Sequence, residues 1–262
     1  MSIKTNPHYQ GTYDELKQVV EKLLGPEGCP WDKEQTQHSL KEMLLRECYE
    51  LVEAIESDQF EDMIEELGDV MFNIVIQMAI AKEQNLFTDQ KVLKGIINKL
   101  VRRHPHVFQN KSVMNAKEVE ANWNKLKKNE KNVEGTIIDS VPKTTPALMY
   151  AQEVQKRASS EGLDWDNYDG VVSKVAEEIY ELGTASSQEE RESELGDLLF
   201  SIVNVARWLG IDAESSLRHA NKRFSTRFQT VTQLTEQRSK NLSELSPHEK
   251  DDLWQEAKSL TN

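Results

Sequence analysis

The sequence is poor in cysteine: Cys29 and Cys48 are the only two among 262 residues. So few cysteines exclude a disulfide-braced secreted scaffold and are typical of proteins in a reducing cytosol. Long apolar runs are also missing, so we expect no membrane-spanning helix and no membrane partner. The N-terminal segment MSIKTNPHYQ lacks the apolar core of a secretory signal. These absences together predict a cytoplasmic protein.

Basic residues are outnumbered as well. The chain has 32 Lys and Arg against 45 Asp and Glu, which gives a net charge of −13. Binding to a nucleic-acid backbone requires clustered cations, so this balance argues against nucleic acid as the main partner. An acidic protein that handles phosphorylated ligands needs metal ions between its carboxylates and the phosphates.

Strand signals are the third absence. The sequence shows neither convincing period-two alternation nor hairpin signals such as Asn-Gly. Apolar residues recur at helical spacing almost throughout, and Pro and Gly separate the helical segments. The sequence therefore predicts an all-α fold.

One pattern occurs twice along the chain. EELGDV at residues 65–70 returns as SELGDL at 193–198, and RECYEL at 46–51 returns as EEIYEL at 177–182. Other landmarks, such as PWD and DWD, pair up in the same order at nearly constant spacing. Because so many matches in register are improbable by chance, we interpret them as a tandem duplication.

The duplication predicts two helical-bundle domains. We expect an N-terminal domain at residues 1–128 and a C-terminal domain at 147–262, joined by a polar linker at 129–146. Each domain is long enough to bury a core of its own.

Acidic residues occur in pairs, three apart, on two successive helices of each copy. This spacing puts both carboxylates of a pair on one helix face, one turn apart. Opposed across an antiparallel helix pair, two such turns bring four carboxylates together. The sets are Glu47, Glu50, Glu66 and Asp69 in the first copy, and Glu178, Glu181, Glu194 and Asp197 in the second.

The alternative is an ordinary solvated acidic face, which is the usual fate of an isolated Glu-x-x-Glu. Two features of the second helix in each copy argue against it. Its polar stripe contains no Lys that would pair with the acids at helical spacing. Gly68 and Gly196 stand beside the aspartates, where a helical glycine costs about 1 kcal/mol relative to alanine. We interpret these glycines as points that something must approach closely.

Four clustered carboxylates repel one another, and a divalent cation removes that repulsion. All-oxygen ligands favour Mg²⁺, with Mn²⁺ as a possible substitute, over Zn²⁺. A di-iron bundle would require Glu-x-x-His, and the third residue on is here Glu or Asp. The sequence therefore predicts a magnesium site that leaves positions for substrate phosphates.

Basic and aromatic residues follow each carboxylate set. Two cations one helical turn apart could meet phosphates, and a Trp with a Lys four residues later could hold a base and a phosphate. The alternative for each Trp is a role as a core anchor. These residues are Lys99, Arg103, Trp123 and Lys127 in the first copy, and Arg223, Arg227, Trp254 and Lys258 in the second.

Eight stretches of the chain carry a resemblance to a known family: EGCPWDKEQT, RECYELVEAI, EELGDV, KLVRRHPHVF, ALMYAQEVQKRA, GLDWD, VAEEIYEL and ELGDLLFSIVNVAR. Together they resemble the two-domain MazG family of nucleoside triphosphate pyrophosphohydrolases, within the all-α NTP pyrophosphatases. The resemblance implies Mg²⁺-dependent hydrolysis of (d)NTP to (d)NMP and diphosphate, broad specificity, nucleotide-pool housekeeping and a homodimer.

The resemblance also implies roles for single residues. In the first copy Arg46 stands where the family usually has its first Glu, so we expect the second copy to be the catalytic one. The family's nucleotide contacts map onto Arg223, Arg227, Trp254 and Lys258, although the first of these is usually Lys. The family's catalytic motif is complete in the second copy as Glu177, Glu178, Glu181, Glu194 and Asp197.

Two alternatives remain open at this point. One is a narrow-specificity relative that hydrolyses dUTP, dCTP or phosphoribosyl-ATP, which kinetics over the common nucleotides would separate. The other is a non-catalytic helical adaptor that senses nucleotides through a degenerate site. Arg46 makes an adaptor conceivable for the first copy, whereas the complete second motif argues against it for the whole chain.

Overall fold

A computed structural model describes residues 9–109, 115–116, 118–119, 122–123 and 136–261. All regular structure in these segments is helical, which confirms the predicted all-α fold. None of the described helices is both long enough and apolar enough to cross a bilayer.

The chain divides into two compact units, residues 1–129 and 130–262. The first part of the predicted linker lies outside the described residues. The helices described with both ends in the first unit are α1 (Tyr13–Leu24), α2 (Pro30–Lys33), α3 (Leu40–Glu56), α4 (Phe60–Glu83), α5 (Asp89–Arg103) and α6 (Pro105–Phe108).

The second unit opens with a short 3₁₀ segment, Ile137–Ser140. Arg157 holds this segment, since its Nη1 donates to the carbonyl of Ile137 (2.8 Å) and to the hydroxyl of Ser140. The helices that follow are α7 (Ala147–Ser160), α8 (Tyr168–Thr184), α9 (Gln188–Trp208), α10 (Ala213–Gln237), and α11 (Pro247–Leu260) after a second 3₁₀ turn at Leu242–Glu244.

An antiparallel helix pair forms the centre of each unit. Helices α3 and α4 are joined by three residues, one of which, Asp58, takes the left-handed conformation (φ 53°) that a tight reversal requires. Helices α8 and α9 are also joined by three residues, and Ser187 with Glu190 forms a capping box that starts α9. Such short connections make neighbouring helices antiparallel and pack them along their length.

A core cluster of the first unit lies where α1 packs against the α3–α4 pair, whereas the described core cluster of the second unit lies between α10 and α11. In the first unit α1 packs on α4, and in the second unit α7 packs on α9 while α11 packs on α10. The buried core residues include Val20, Leu40, Val75, Ile76, Met78 and Ile80 in the first unit, and Val231, Leu234, Leu253 and Ala257 in the second.

Large apolar side chains on the central helices stay exposed. In the first unit they lie along α3 and α4, and in the second along α8 and α9. The helical spacing that predicted these helices does not distinguish such residues from the core. They include Phe60, Ile64, Leu67, Met71 and Ile74 on α4, Ile179 and Tyr180 on α8, and Leu195, Leu199, Phe200 and Ile202 on α9.

Candidate metal centre

Three carboxylates of the first unit meet between α3 and α4. Oxygens of Glu47, Glu66 and Asp69 all lie within 4.8 Å of one another. Glu47 is buried and Asp69 is exposed, so the group runs from the helix interface to the surface. The antiparallel hairpin produces this convergence, because it sets the turn that carries Glu47 opposite the turn that carries Glu66 and Asp69.

Glu50, the fourth predicted carboxylate, lies outside this closest group, one helical turn further along α3, and interacts with it electrostatically. Its hydrogen bond with the Glu47 carboxylate, and then burial, raises the pKa of Glu50. Burial and the neighbouring charges of Asp69 and Glu47 raise the pKa of Glu66. Raised pKa values are the electrostatic sign of carboxylates that are crowded without a compensating cation.

The second unit repeats the arrangement between α8 and α9. Oxygens of Glu178, Glu194 and Asp197 lie within 4.8 Å of one another, and Glu178 is only 3% exposed. Burial raises the pKa of Glu194, and the charges of Glu181, Glu178 and Asp197 add to the effect. Glu181 is exposed and lies outside this closest group, but its charge acts on Glu194.

A basic side chain contacts the buried glutamate of each group. In the first unit Arg46 Nη2 donates to Glu47 Oε1 at 2.7 Å and lowers the pKa of Glu47. In the second unit Lys174 Nζ lies 2.5 Å from Glu178 Oε1. Sequence reasoning missed Lys174, although its spacing of four residues from Glu178 was a visible signal for an ion pair on one helix face.

Glu177, the first residue of the complete family motif, lies outside the closest carboxylate group. Its side chain is 55% exposed, and its Oε1 accepts a hydrogen bond from Lys174 Nζ at 2.9 Å. The structure therefore places Glu177 outside the closest group and links it to Glu178 through Lys174.

The donor atoms present fit a hard divalent cation. In the first unit two buried oxygens, Glu66 Oε2 and Asn73 Oδ1, have no hydrogen-bond partner among the described residues. Asn73 is 1% exposed, and its Nδ2 donates to the carbonyl of Asp69 at 3.0 Å. Buried oxygens without donors are costly, and a cation or its bound water satisfies them. Carboxylate and amide oxygens are the ligands that such ions prefer.

The two glycines beside the clusters face open space. A Cβ added to Gly68 or to Gly196 would meet no described heavy atom within 4 Å, leaving aside the helix's own nearby backbone. Packing within each unit therefore does not account for these glycines, and the close approach predicted from sequence is not made by the unit's own described atoms.

In the first unit, Arg103 lies against the predicted aromatic residue. Its guanidinium carbon is 5.1 Å from the ring centroid of Trp123, and the ring of His104 meets the same Trp edge-on at 5.0 Å. Arg103 is buried, whereas Lys99 is exposed on α5. Lys127 lies outside the described residues.

The two predicted arginines of the second unit line a cavity on α10. Arg223 and Arg227, together with His219, Lys222, Thr226 and Thr261, surround about 230 Å³. The described lining of this cavity holds neither the cluster carboxylates nor Lys258. The structure thus gathers the two arginines around a space of their own.

Trp254 borders a larger and mostly apolar space. Its ring centroid lies 5.3 Å from that of Phe224, and both rings line a cavity of about 690 Å³ with Phe228 and Lys250. Lys258 lies one turn after Trp254 on α11, with its Nζ 3.4 Å from Gln255 Oε1.

Comparison with known proteins gives two matches to one family model. The model of the MazG nucleotide pyrophosphohydrolase domain matches residues 35–108 and again residues 167–232. The first range contains the α3–α4 pair and the second contains the α8–α9 pair, so each match includes one carboxylate group.

Proteins related over nearly the whole chain are also found. The nucleoside triphosphate pyrophosphohydrolase/pyrophosphatase MazG of Thermotoga maritima is 42% identical over 94% of this chain and 95% of its own length. A nucleoside triphosphate pyrophosphohydrolase of Escherichia coli strain K12 is 40% identical over 94% of this chain and 96% of its own. The YabN protein of Bacillus subtilis is 42% identical, but the match covers 51% of that longer protein.

Proposed function

The chain belongs to the MazG nucleotide pyrophosphohydrolase family, and from this premise we propose that it hydrolyses nucleoside triphosphates to monophosphates and diphosphate. The observation that supports this most is the repeated carboxylate group in a chain whose full-length relatives are named for that activity. We propose broad specificity over (d)NTPs and a housekeeping role in the nucleotide pool.

Four residues of the second unit would hold Mg²⁺, or Mn²⁺ in its place: Glu178, Glu181, Glu194 and Asp197. When bound, the ion neutralises phosphate charge and makes a water a better nucleophile. Glu177 or a neighbouring carboxylate would orient that water and accept its proton.

Cations of the second unit would bind the nucleotide around this centre. Arg227 and Lys258 meet the charge of the departing diphosphate, with Arg223 beside them, and Trp254 offers a flat ring to the base. Arg223, Arg227 and Trp254 line cavities whose described residues include none of the carboxylates, so we propose that the triphosphate spans the two sets or that a second copy of the chain completes the site.

The first unit carries the altered motif, and we propose that it contributes little to turnover. Arg46 occupies two of its carboxylates, Glu47 at 2.7 Å and Glu50 at 4.0 Å. This ion pair favours a second, narrower role for that unit alone, namely non-catalytic nucleotide or cation binding. Lys99, Arg103, Trp123 and Lys127 are the nucleotide contacts that such a role would use.

We also propose a homodimer. The central helices of both units expose rows of large apolar side chains, among them Ile64 at 65% and Tyr180 at 72%. Contiguous exposed apolar surface of this kind marks a protein interface, and a second copy of the same hairpins is the matching surface.

The test is an assay of diphosphate release from the eight common (d)NTPs, with Mg²⁺, with Mn²⁺ and with chelator. We expect release from most of the eight nucleotides that depends on the metal ion. Release from dUTP or dCTP alone would identify a narrow-specificity relative instead. Tight binding of ATP with no diphosphate from any nucleotide would overturn the hydrolase and favour a nucleotide-sensing adaptor.

A further inference from the structure

Lys174, the basic residue beside the carboxylate group of the second unit, contacts two carboxylates. Only one of them belongs to the group of Glu178, Glu194 and Asp197. Lys174 Nζ lies 2.5 Å from Glu178 Oε1 and 2.9 Å from Glu177 Oε1. The Glu178 side chain is 4% exposed and lies inside the group, whereas that of Glu177 is 55% exposed and lies outside it. Lys174 therefore bridges the buried ligand position and the surface.

Helical spacing explains why both contacts form at once. Glu177 and Glu178 follow Lys174 by three and four residues, so both side chains lie one turn above it on the same face of α8. The flexible lysine stem allows Nζ to leave one carboxylate and keep the other without any movement of the main chain.

A divalent cation that binds Glu178 would lie close to the ammonium group and repel it. We propose that Glu177 is a positioning residue: it holds Lys174 when the cation enters, and this exchange sets the affinity of the second unit for divalent cations. The inference rests on the metal site of the proposed function, but it gives Glu177 a role that requires no contact with metal or nucleotide.

The first unit has no such exchange. In the repeat, Arg46 stands at the position of Glu177, and Met43 at the position of Lys174. The side chains within ion-pair distance of Arg46 are Glu47 and Glu50, both of them predicted metal ligands. A cation entering this cluster has to displace the guanidinium from groups that it needs itself, so the first unit binds it more weakly.

The Mn²⁺ affinity of each unit can be measured directly by titrating the full chain with Mn²⁺ in the absence of nucleotide and monitoring free Mn²⁺ by electron paramagnetic resonance. We expect a tighter and a weaker class of site. Glu178→Gln should remove the tighter class and Glu47→Gln the weaker one. If Glu178→Gln left both classes in place, the metal site of the second unit would itself be wrong, whatever the role of Glu177.

A double-mutant cycle tests the exchange. Glu177→Gln should weaken the tighter class about fivefold, the range of a partly exposed charge pair. Lys174→Met should tighten it. In the Lys174→Met background, Glu177→Gln should change the affinity less than about twofold, because no ammonium group is left to hold. Glu189→Gln, an exposed charge change in the first turn of α9, is the matched control.

The outcome that overturns the proposal is an equal loss of Mn²⁺ affinity from Glu177→Gln with and without Lys174. Glu177 would then act through its own charge or as a direct ligand. In the first unit, Arg46→Met should tighten the weaker class, and no change there would contradict the proposed competition. Circular dichroism of each variant shows whether the helices persist.

Discussion

Glu178 and Glu47 occupy the same place in the two copies, each buried and each in contact with a cation. Their surroundings differ at two positions, since Glu177 precedes Glu178 where Arg46 precedes Glu47, and Lys174 stands where the first copy has Met43. At the scale of single residues this difference separates the proposed catalytic unit from the proposed silent one.

We expect Glu178→Gln to reduce diphosphate release at least about a hundredfold, because it removes a carboxylate that would hold the metal against the triphosphate. Glu47→Gln, the matched variant in the first unit, should reduce release less than about threefold. Steady-state assays with saturating Mg²⁺ measure both. Near-normal turnover by the Glu178 variant would refute the assignment of catalysis to the second unit.

Asp164 is a residue whose charge serves the fold. Arg207 donates two hydrogen bonds to its carboxylate, and Trp208 Nε1 and Ser159 Oγ donate one each. These donors, Arg207 above all, hold the pKa of Asp164 far below its usual range. A depressed pKa contributes stability above the unfolded-state value, near 4, and this stability is lost as pH falls through the folded-state value.

We therefore expect Asp164→Asn to lower the free energy of unfolding by about 1.5 kcal/mol at pH 7, since hydrogen bonds to a charged group are lost. This difference in the free energy of unfolding should shrink below pH 4. There the Asp164 carboxylate is protonated in the unfolded wild type, so its charge contributes less to wild-type stability. Urea unfolding at pH 7 and pH 3 measures this. A deficit that stays constant between the two would contradict the role of the charge.

At the scale of helices, α9 begins with a stabilising N-terminal cap but contains a residue of low helix propensity in its interior. The capping box of Ser187 and Glu190 stabilises its first turn, while Gly196 lowers helix propensity beside Asp197. Nothing described in the unit occupies the space that a Cβ at Gly196 would take.

Gly196→Ala should therefore stabilise the helix by about 1 kcal/mol and at the same time impair diphosphate release, because the added methyl group would enter the space that we propose the substrate occupies. Thermal unfolding and the release assay, run on the same sample, separate the two effects. Gly68→Ala is the control and should stabilise α4 with little change in release. Unchanged release by the Gly196 variant would show that the glycine serves no ligand.

The sequence predicts where helices form better than it predicts which of their side chains are buried. The spacing of Glu47, Glu66 and Asp69 indicated that these carboxylates share facing helix turns, and the structure brings their oxygens together. Their role as ligands stays a prediction. The same periodicity could not show that Met71 is 47% exposed while Val75 is 3% exposed, because burial depends on which helix packs against each turn.

Contacts between distant segments were also beyond sequence reasoning. The stacking of Arg103 on Trp123 depends on how the chain after α5 returns, and spacing carries no information about that path. The Lys174–Glu178 ion pair could have been predicted from the sequence, because the two residues are four apart on one helix.

At the scale of the whole molecule, the exposed apolar rows predict an assembly. We expect light scattering after size-exclusion chromatography to give twice the chain mass. Met71→Glu and Leu199→Glu, at matching positions of α4 and α9, should shift the protein towards monomer, because each buries a charge in the interface. Leu163→Glu, on a residue 79% exposed outside the helices, should not. A monomeric wild type would contradict the homodimer.

A cluster of acids that carries its own counter-ion can fold before any metal arrives. Arg46 in one copy and Lys174 in the other neutralise the glutamate that is most deeply embedded. A duplicated gene segment built this way can lose its chemistry by mutation and still produce a sound scaffold. Arg46, which we propose silences one half, would then also preserve it and leave that half free to acquire another task while its twin continues the original one.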